Sequence, residues 1–190
     1  AANLDTGEDH PVIFNVLQIR PISLDSFNAE VNWKDVDDSD SIVRADNALG
    51  TGWIKGVHDI VYLRQDHFDV LKTNEIAREL TELNTRMRQQ GRNYVLIGYG
   101  RWGSSIPSLG VPVRWSDISE ARVLVEACLE NFRVDPSQGT HFFQNMTSFN
   151  VGYINVNPYL RRNDLFDLGK LDELQAELET EFIRLVHFDR

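Results

Sequence analysis

Residues 93–105 read Asn-Tyr-Val-Leu-Ile-Gly-Tyr-Gly-Arg-Trp-Gly-Ser-Ser, and this stretch decides the fold of the chain. Residues 94–97 form an uninterrupted apolar run, which predicts a strand that is buried on both faces. Glycines follow at positions 98, 100 and 103. Because glycine has no side chain, its backbone N–H can approach a ligand closely. A buried strand that runs into such a loop predicts an α/β fold with a candidate anion site.

The loop after this strand also supplies a cation and two hydroxyls. The predicted phosphate- or anion-binding residues of the loop are Gly98, Gly100, Arg101, Gly103, Ser104 and Ser105. A tight turn that needs positive φ at its glycines, with Arg101 in a salt bridge, explains the same residues equally well. The glycine spacing also matches the dinucleotide-binding fingerprint, but the acidic residue expected on the following strand is missing.

The composition of the 190-residue chain predicts a soluble globular protein of one domain or slightly more. The net charge of −10 argues against nucleic-acid binding, because phosphates are repelled on average. No apolar run approaches the roughly 20 residues of a membrane helix, and the N-terminus does not resemble a signal peptide. The single cysteine, Cys128, lies in an apolar stretch and predicts a buried thiol in a cytoplasmic protein.

Periodicity predicts a mixed sheet built on residues 94–97, 121–127 and 151–156. Apolar residues at 3.6-residue spacing predict a helix over 73–90 that packs on this sheet. Thr73 or Asn74 is expected to cap this helix, and Gly91 to end it.

The other segments carry weaker patterns. We predict a strand over 11–22, an acidic linker over 23–40, a strand pair within 41–64, an extended loop over 106–115, a short helix beginning at 116–119, helices over 142–149 and 172–180, and a final strand over 181–188. Residues 41–190 are therefore expected to form one α/β domain.

His141 is the histidine with the strongest chemical context. It follows Gly139 and Thr140 and begins a predicted helix, whose N-terminus supplies free N–H groups and partial positive charge. That setting stabilises a phosphoryl group on an imidazole nitrogen. The alternative is a histidine that caps its own helix or hydrogen-bonds in the core. The other histidines, His10, His58, His67 and His187, lack metal-ligand spacing, so no metal site is predicted.

Residues 17–22, Leu-Gln-Ile-Arg-Pro-Ile, resemble the terminal strand of the nucleotide-binding domain of pyruvate phosphate dikinase and phosphoenolpyruvate synthase. The resemblance implies that Gln18 and Arg20 face ATP phosphates and metal, so that ATP and Mg²⁺ are cofactors of the full-length protein. The family has an acidic residue about a dozen positions earlier, where this chain has Thr6. The resemblance also implies that residues 1–22 end a nucleotide-binding domain, which would be the partner of the rest.

Residues 137–143, Ser-Gln-Gly-Thr-His-Phe-Phe, resemble the motif around the phosphate-carrying histidine in the swivelling domain of the same family. Two phenylalanines stand where the family has small residues. Much of 49–156, including Gly-Arg-Trp-Gly-Ser at 100–104, is similar to bacterial phosphoenolpyruvate-synthase-like proteins, which usually have proline where Tyr99 stands. The resemblance implies a swivelling phosphohistidine-like domain.

The resemblance implies a fragment of a phosphoenolpyruvate-synthase-like phosphotransferase that carries a phosphoryl group on His141. Arg101, Ser104, Ser105 and Thr140 would neutralise the phosphoryl group, and Gln144 or Asn145 would orient the imidazole. Two alternatives remain: a non-catalytic docking module, and a domain that binds a small phosphorylated ligand, an anion or a nucleotide at residues 98–105.

Overall fold

The computed structural model describes residues 39, 41–50, 54–136, 149 and 151–188. Its strands are β1 (Val43–Arg44), β2 (Asn47–Leu49), β3 (Asp59–Leu63), β4 (Tyr94–Tyr99), β5 (Arg101–Trp102), β6 (Gly110–Val111), β7 (Ala121–Ala127), β8 (Gly152–Val156), β9 (Leu165–Phe166), β10 (Ala176–Glu179) and β11 (Ile183–His187). Its α-helices are α1 (Thr73–Gln89) and α2 (Gly169–Asp172). The predicted α/β fold with a mixed sheet is confirmed.

Seven strands form the main sheet in the order β10-β11-β3-β4-β7-β8-β2. The central strands β3, β4, β7 and β8 are parallel, whereas β11 and β2 pair antiparallel to β3 and β8. These four strands lie side by side in the same order as in the sequence. The carboxyl ends of these four strands therefore lie along one edge of the sheet, which we call the carboxyl edge, and their amino ends lie along the opposite, amino edge.

Each face of the sheet is covered by a different element. On one face, α1 buries Ile76, Leu80 and Met87, and Tyr94 of β4 donates to Asn84 of α1 through its hydroxyl (2.9 Å). Gly91 ends α1 as expected, with φ of 66°. On the other face, the hydroxyl of Tyr62 donates to Asp172 of α2 (2.9 Å). Strand alternation sends neighbouring residues of β3 and β4 to these two layers.

The predicted strand pair within 41–64 is wrong in its pairing. β1 pairs with β9, β2 pairs with β8, and β3 pairs with β4 and β11. All five residues of β3 are buried, so this strand belongs in the centre of the sheet. β2 is more exposed and is an outermost strand of the sheet, beside β8.

The predicted helix over 172–180 is also wrong. Only residues 169–172 are helical, and residues 176–179 form strand β10 beside β11. Leu174 and Leu178 fit a helical spacing. Ala176 and Leu178, however, also alternate with the exposed Glu177 and Glu179, which is the pattern of an edge strand.

Three local expectations also need correction. Lys72 is the N-cap of α1 and makes no side-chain cap hydrogen bond, so neither Thr73 nor Asn74 has the expected role. Within the predicted extended loop over 106–115, residues 107–109 form a 3-10 turn, and β6 pairs with β5. The short helix expected from 116–119 is a 3-10 turn over Trp115–Ile118.

Several predicted segments lie outside the described residues. They are the strand over 11–22, the acidic linker over 23–40 apart from Ser39, and the helix over 142–149 apart from Phe149. In the part of the chain that is described, no helix combines the length and the apolar character that crossing a bilayer requires.

Candidate functional site

A groove of about 850 Å³ opens at the carboxyl edge. One wall is the loop after β3, the other is the loop after β7, and Ser108 and Glu181 complete the rim. Ligands of open α/β sheets bind outside the carboxyl ends of parallel strands. The volume is within the range of small-molecule sites. This groove is therefore the candidate functional site.

The floor of the groove is aromatic. The Phe68 ring packs edge-on against Tyr99 of β4 (5.2 Å between centroids) and lies 5.3 Å from the Phe132 ring. A side chain at Gly100 would place its Cβ 2.7 Å from the Phe132 ring and 2.6 Å from the Leu109 carbonyl oxygen. Gly100 is therefore needed so that the loop after β7 can close over the end of β4.

The rim of the groove carries charges that are largely paired and exposed to water. Nε2 of His67 lies 3.3 Å from Asp66, and Nζ of Lys72 lies 2.8 Å from Glu181. The Lys72 hydrogen bond lowers the pKa of Glu181. Asp69 accepts the backbone N–H of Leu71. Arg64, outside the groove, also donates to Asp66 (3.4 Å). The residues that line the groove itself include three carboxylates against one lysine and one histidine, which favours a neutral or cationic occupant over a phosphate.

A second hollow, of about 520 Å³, shares Gln65 and Asp66 with the groove. Leu168 and Asp172, at the two ends of α2, line it from the side. The guanidinium of Arg184, also in the hollow, pairs with Asp172 (3.1 Å). The two concavities therefore form one continuous surface from α2 to the loop after β7.

The glycine loop is explained by packing within the protein. Gly98 lies inside β4, and a Cβ there would collide with the Trp102 indole. The N–H groups of Gly100, Trp102 and Gly103 donate to the Ala127 carbonyl, the Glu126 carboxylate and the Val111 carbonyl. These contacts give no support to an anion cradle at this loop, which remains a prediction.

The polar residues of the loop are also engaged. Nε of Arg101 donates to the Asp135 carbonyl (2.7 Å), and the Ser104 hydroxyl bonds with the backbone of Ile106 (3.1 and 3.2 Å). Ser105 is exposed. Arg101 thus fixes the chain at Asp135, shortly before the segment that contains His141.

Sequence reasoning missed a buried carboxylate beside this loop. Glu126, at the end of β7, is 2% exposed and accepts the Trp102 N–H (3.0 Å) and the Tyr153 hydroxyl (2.6 Å). The available signal was a charged residue within the apolar run 121–127. Glu126 of β7 therefore links the glycine loop, through Trp102, to β8, through Tyr153.

The remaining predicted site residues lie outside the described residues: His141, Thr140, Gln144, Asn145, Gln18 and Arg20. Their roles stay predictions. Among the residues that are described, no group of three or more His, Cys, Asp or Glu could hold a metal ion.

The amino edge carries a second charged cluster. Asp59, 3% exposed, accepts two hydrogen bonds from Arg92 and lies 2.7 Å from Nδ1 of His187. Arg92 also pairs with Glu177 of β10 (2.7 Å). Burial raises the pKa of Asp59, but the hydrogen bonds from Arg92 and His187 outweigh it and leave the pKa below its ordinary value. The cluster therefore joins β3, β10 and β11 through Arg92 and His187.

Comparison with known proteins adds no family. The sequence matches no protein-family model and no curated protein, and the structure matches no solved structure. The class that fold and site define is a mixed α/β-sheet domain with an open groove at its carboxyl edge.

Proposed function

We propose that this domain carries a phosphoryl group on His141 within a cytoplasmic phosphoenolpyruvate-synthase-like phosphotransferase, and that it is a relative of the swivelling phosphohistidine domain. The phosphoryl group would pass from ATP to an imidazole nitrogen, so that a P–O bond breaks as a P–N bond forms. In a second transfer, the P–N bond would break, its electron pair would return to the imidazole nitrogen, and the phosphoryl group would form a bond with the acceptor. The nucleotide-binding domain that residues 1–22 would end is the partner of the first step.

The observation that carries this proposal is where the connection with His141 starts. β7 ends at the carboxyl edge, and Arg101 binds the chain there at Asp135 (2.7 Å). The chain from Asp135 to His141 can span at most about 20 Å when fully extended. The connection that bears the carrier histidine therefore begins at the edge at which α/β proteins bind their substrates.

The described residues do not fit ATP itself. The rim of the groove has an excess of carboxylates, from Asp66, Asp69 and Glu181, and the N–H groups at 100, 102 and 103 already have protein acceptors. ATP and Mg²⁺ would therefore belong to the nucleotide-binding domain, and this domain would contribute only the histidine.

The test is phosphoryl transfer to the full-length protein from ATP labelled in its β- and γ-phosphates. We expect acid-labile, base-stable label on the unaltered protein and its loss in His141→Ala. His67→Ala is the matched control, because His67 lies in the groove and should keep the label. Undiminished label in His141→Ala, or loss of label only in His67→Ala, contradicts the proposal.

The second candidate is a non-catalytic docking module, and a specific observation favours it. Large apolar side chains are exposed at the carboxyl edge, among them Leu71 and Leu160. A full-length protein that takes up no label, yet loses partner binding when these side chains are replaced, would support this second function.

A further inference from the structure

Exposed apolar side chains in the described residues concentrate at the carboxyl edge. Leu71 (84% exposed), Ile106, Tyr159 and Leu160 (72% exposed) all lie on loops that follow the carboxyl ends of β3, β4 and β8. The other large apolar side chains that are exposed are Leu49, in edge strand β2, and Ile54 and Phe149, which adjoin residues that the structure does not describe. An apolar patch of this kind on a folded domain marks an interaction surface.

The patch is continuous with the groove. The 3-10 turn that contains Leu71 packs against the 3-10 turn after Ile106. At the other end, the guanidinium of Arg133, next to Phe132 in the groove, lies 5.2 Å from the Tyr159 ring. The aromatic floor of the groove therefore connects the two pairs of exposed apolar residues.

The chain that precedes Ser39 enters next to this surface. Nζ of Lys170, on α2, donates to the carbonyls of Ser39 (2.7 Å) and Ser41 (2.9 Å). Leu168, two positions before Lys170, lines the hollow that continues into the groove. Residues 1–38 thus join the domain beside the carboxyl edge.

Charge shows which part of residues 1–38 is better suited to this surface: the acidic run near residues 35–38 or the apolar residues 11–22. The acidic run with Asp35, Asp37 and Asp38 would meet Asp66, Asp69 and Glu181 of the rim, and like charges repel. Residues 11–22 are mainly apolar and carry one charged side chain, Arg20, which is complementary to the rim. The intervening residues 23–38 can span about 50 Å when extended, which exceeds the diameter of a domain of this size.

We infer that residues 11–22 dock on the carboxyl edge, across the groove and the exposed side chains of Leu71, Ile106, Tyr159 and Leu160. The docked segment covers apolar surface on both sides and brings Arg20 to the acidic rim. Gln18 and Arg20 would then lie at the edge from which the connection with His141 departs. This docking names the occupant of the carboxyl edge, goes beyond the proposed function and does not depend on it.

The test is hydrogen exchange of the unaltered 190-residue chain at low micromolar concentration, read by mass spectrometry. We expect protected amides over residues 12–19 and at least about tenfold faster exchange there in Leu71→Lys and in Leu160→Lys, because each places a charge in the contact. Protection of α1 and β4 should be unchanged, which shows that the variants fold. The matched control is Thr81→Lys, which adds the same charge on the exposed side of α1.

Three results overturn the inference. The first is that amides over 12–19 of the unaltered chain exchange at the rate of an unstructured peptide. The second is that their protection is the same in all variants. The third is that their protection depends on protein concentration, which would mean that a second copy occupies the edge. No ATP is present, so failure here is separate from failure of the phosphoryl-transfer test.

Discussion

The two edges of the parallel strands differ in how their charges are placed. At the amino edge, the buried carboxylate of Asp59 contacts Arg92 and His187, and Arg92 also pairs with Glu177. At the carboxyl edge, the side chains of Asp66 and His67 are 67% and 39% exposed beside an open groove. The charges of the amino edge therefore stabilise the fold, whereas those of the carboxyl edge are exposed where a ligand or partner can bind.

The largest expected effect comes from removing the cation of the amino edge. Arg92→Met leaves the buried carboxylate of Asp59 without its main partner, and we expect a loss of about 3–5 kcal/mol of unfolding free energy. Arg88→Met is the control, since Arg88 is exposed where it contacts Glu120 (3.1 Å) and Ser119 (2.6 Å), and its loss should cost only about 1 kcal/mol. Urea denaturation measures both. Equal losses would show that the buried pair has no special role.

Gly98→Ala tests whether packing explains the glycine loop. Its Cβ would collide with the Trp102 indole, and we expect a loss of about 3 kcal/mol with altered tryptophan fluorescence. Gly91→Ala, which has open space and a φ of 66°, should cost about 1 kcal/mol from backbone strain alone. If Gly98→Ala is tolerated as well as Gly91→Ala, the indole does not restrict this position.

The lowered pKa of Asp59 predicts a dependence of stability on pH. Its charged form is stabilised by Arg92 and His187, so this contribution is complete above the ordinary aspartate pKa of about 3.9 and is lost as pH falls through the lower folded value. Asp59→Asn should therefore be less stable at pH 7. Its stability should also fall less between pH 5 and pH 2 than that of the unaltered chain. Parallel curves from thermal unfolding would contradict this.

The smallest effect is expected at the carboxyl edge, beneath the groove. Within the described part of the chain, the buried hydroxyl of Tyr99 has no hydrogen-bond partner, and burial raises its pKa. Tyr99→Phe should thus leave stability unchanged or raise it by up to about 1 kcal/mol. Tyr62→Phe, which removes a hydrogen bond to Asp172, should cost about 1 kcal/mol. A clear loss in Tyr99→Phe would indicate that its hydroxyl has a partner.

The elements that the sequence predicted best are those whose pattern of apolar residues fits only one type of secondary structure. The run around Leu96 is apolar on both faces, and α1 has apolar residues on one side only, so β4 and α1 follow directly. β10 could not be predicted, because Leu178 fits both a helical and an alternating pattern. Its pairing with β11 decides between them, and such a partner is not visible locally.

The candidate site was harder to predict than the fold. The glycine loop was expected to begin at Gly98, directly after a strand over 94–97, but β4 continues to Tyr99 and the glycines make room for Trp102 and Phe132. The groove forms where Phe68 and Phe132 meet, and their separation in sequence hides this contact. Glu126 was detectable as a charge within a buried strand, whereas its partners, from the loop and from β8, were not.

The position of β11 has a consequence for synthesis of the chain. β11 lies between β10 and β3, so the first parallel strand obtains one of its two neighbours from residues 183–187. While a ribosome has not yet released those residues, one side of β3 exposes unpaired N–H and C=O groups, which favour aggregation. A chain that stalls before residue 183 should therefore be a substrate for chaperones, although its groove loops are already made.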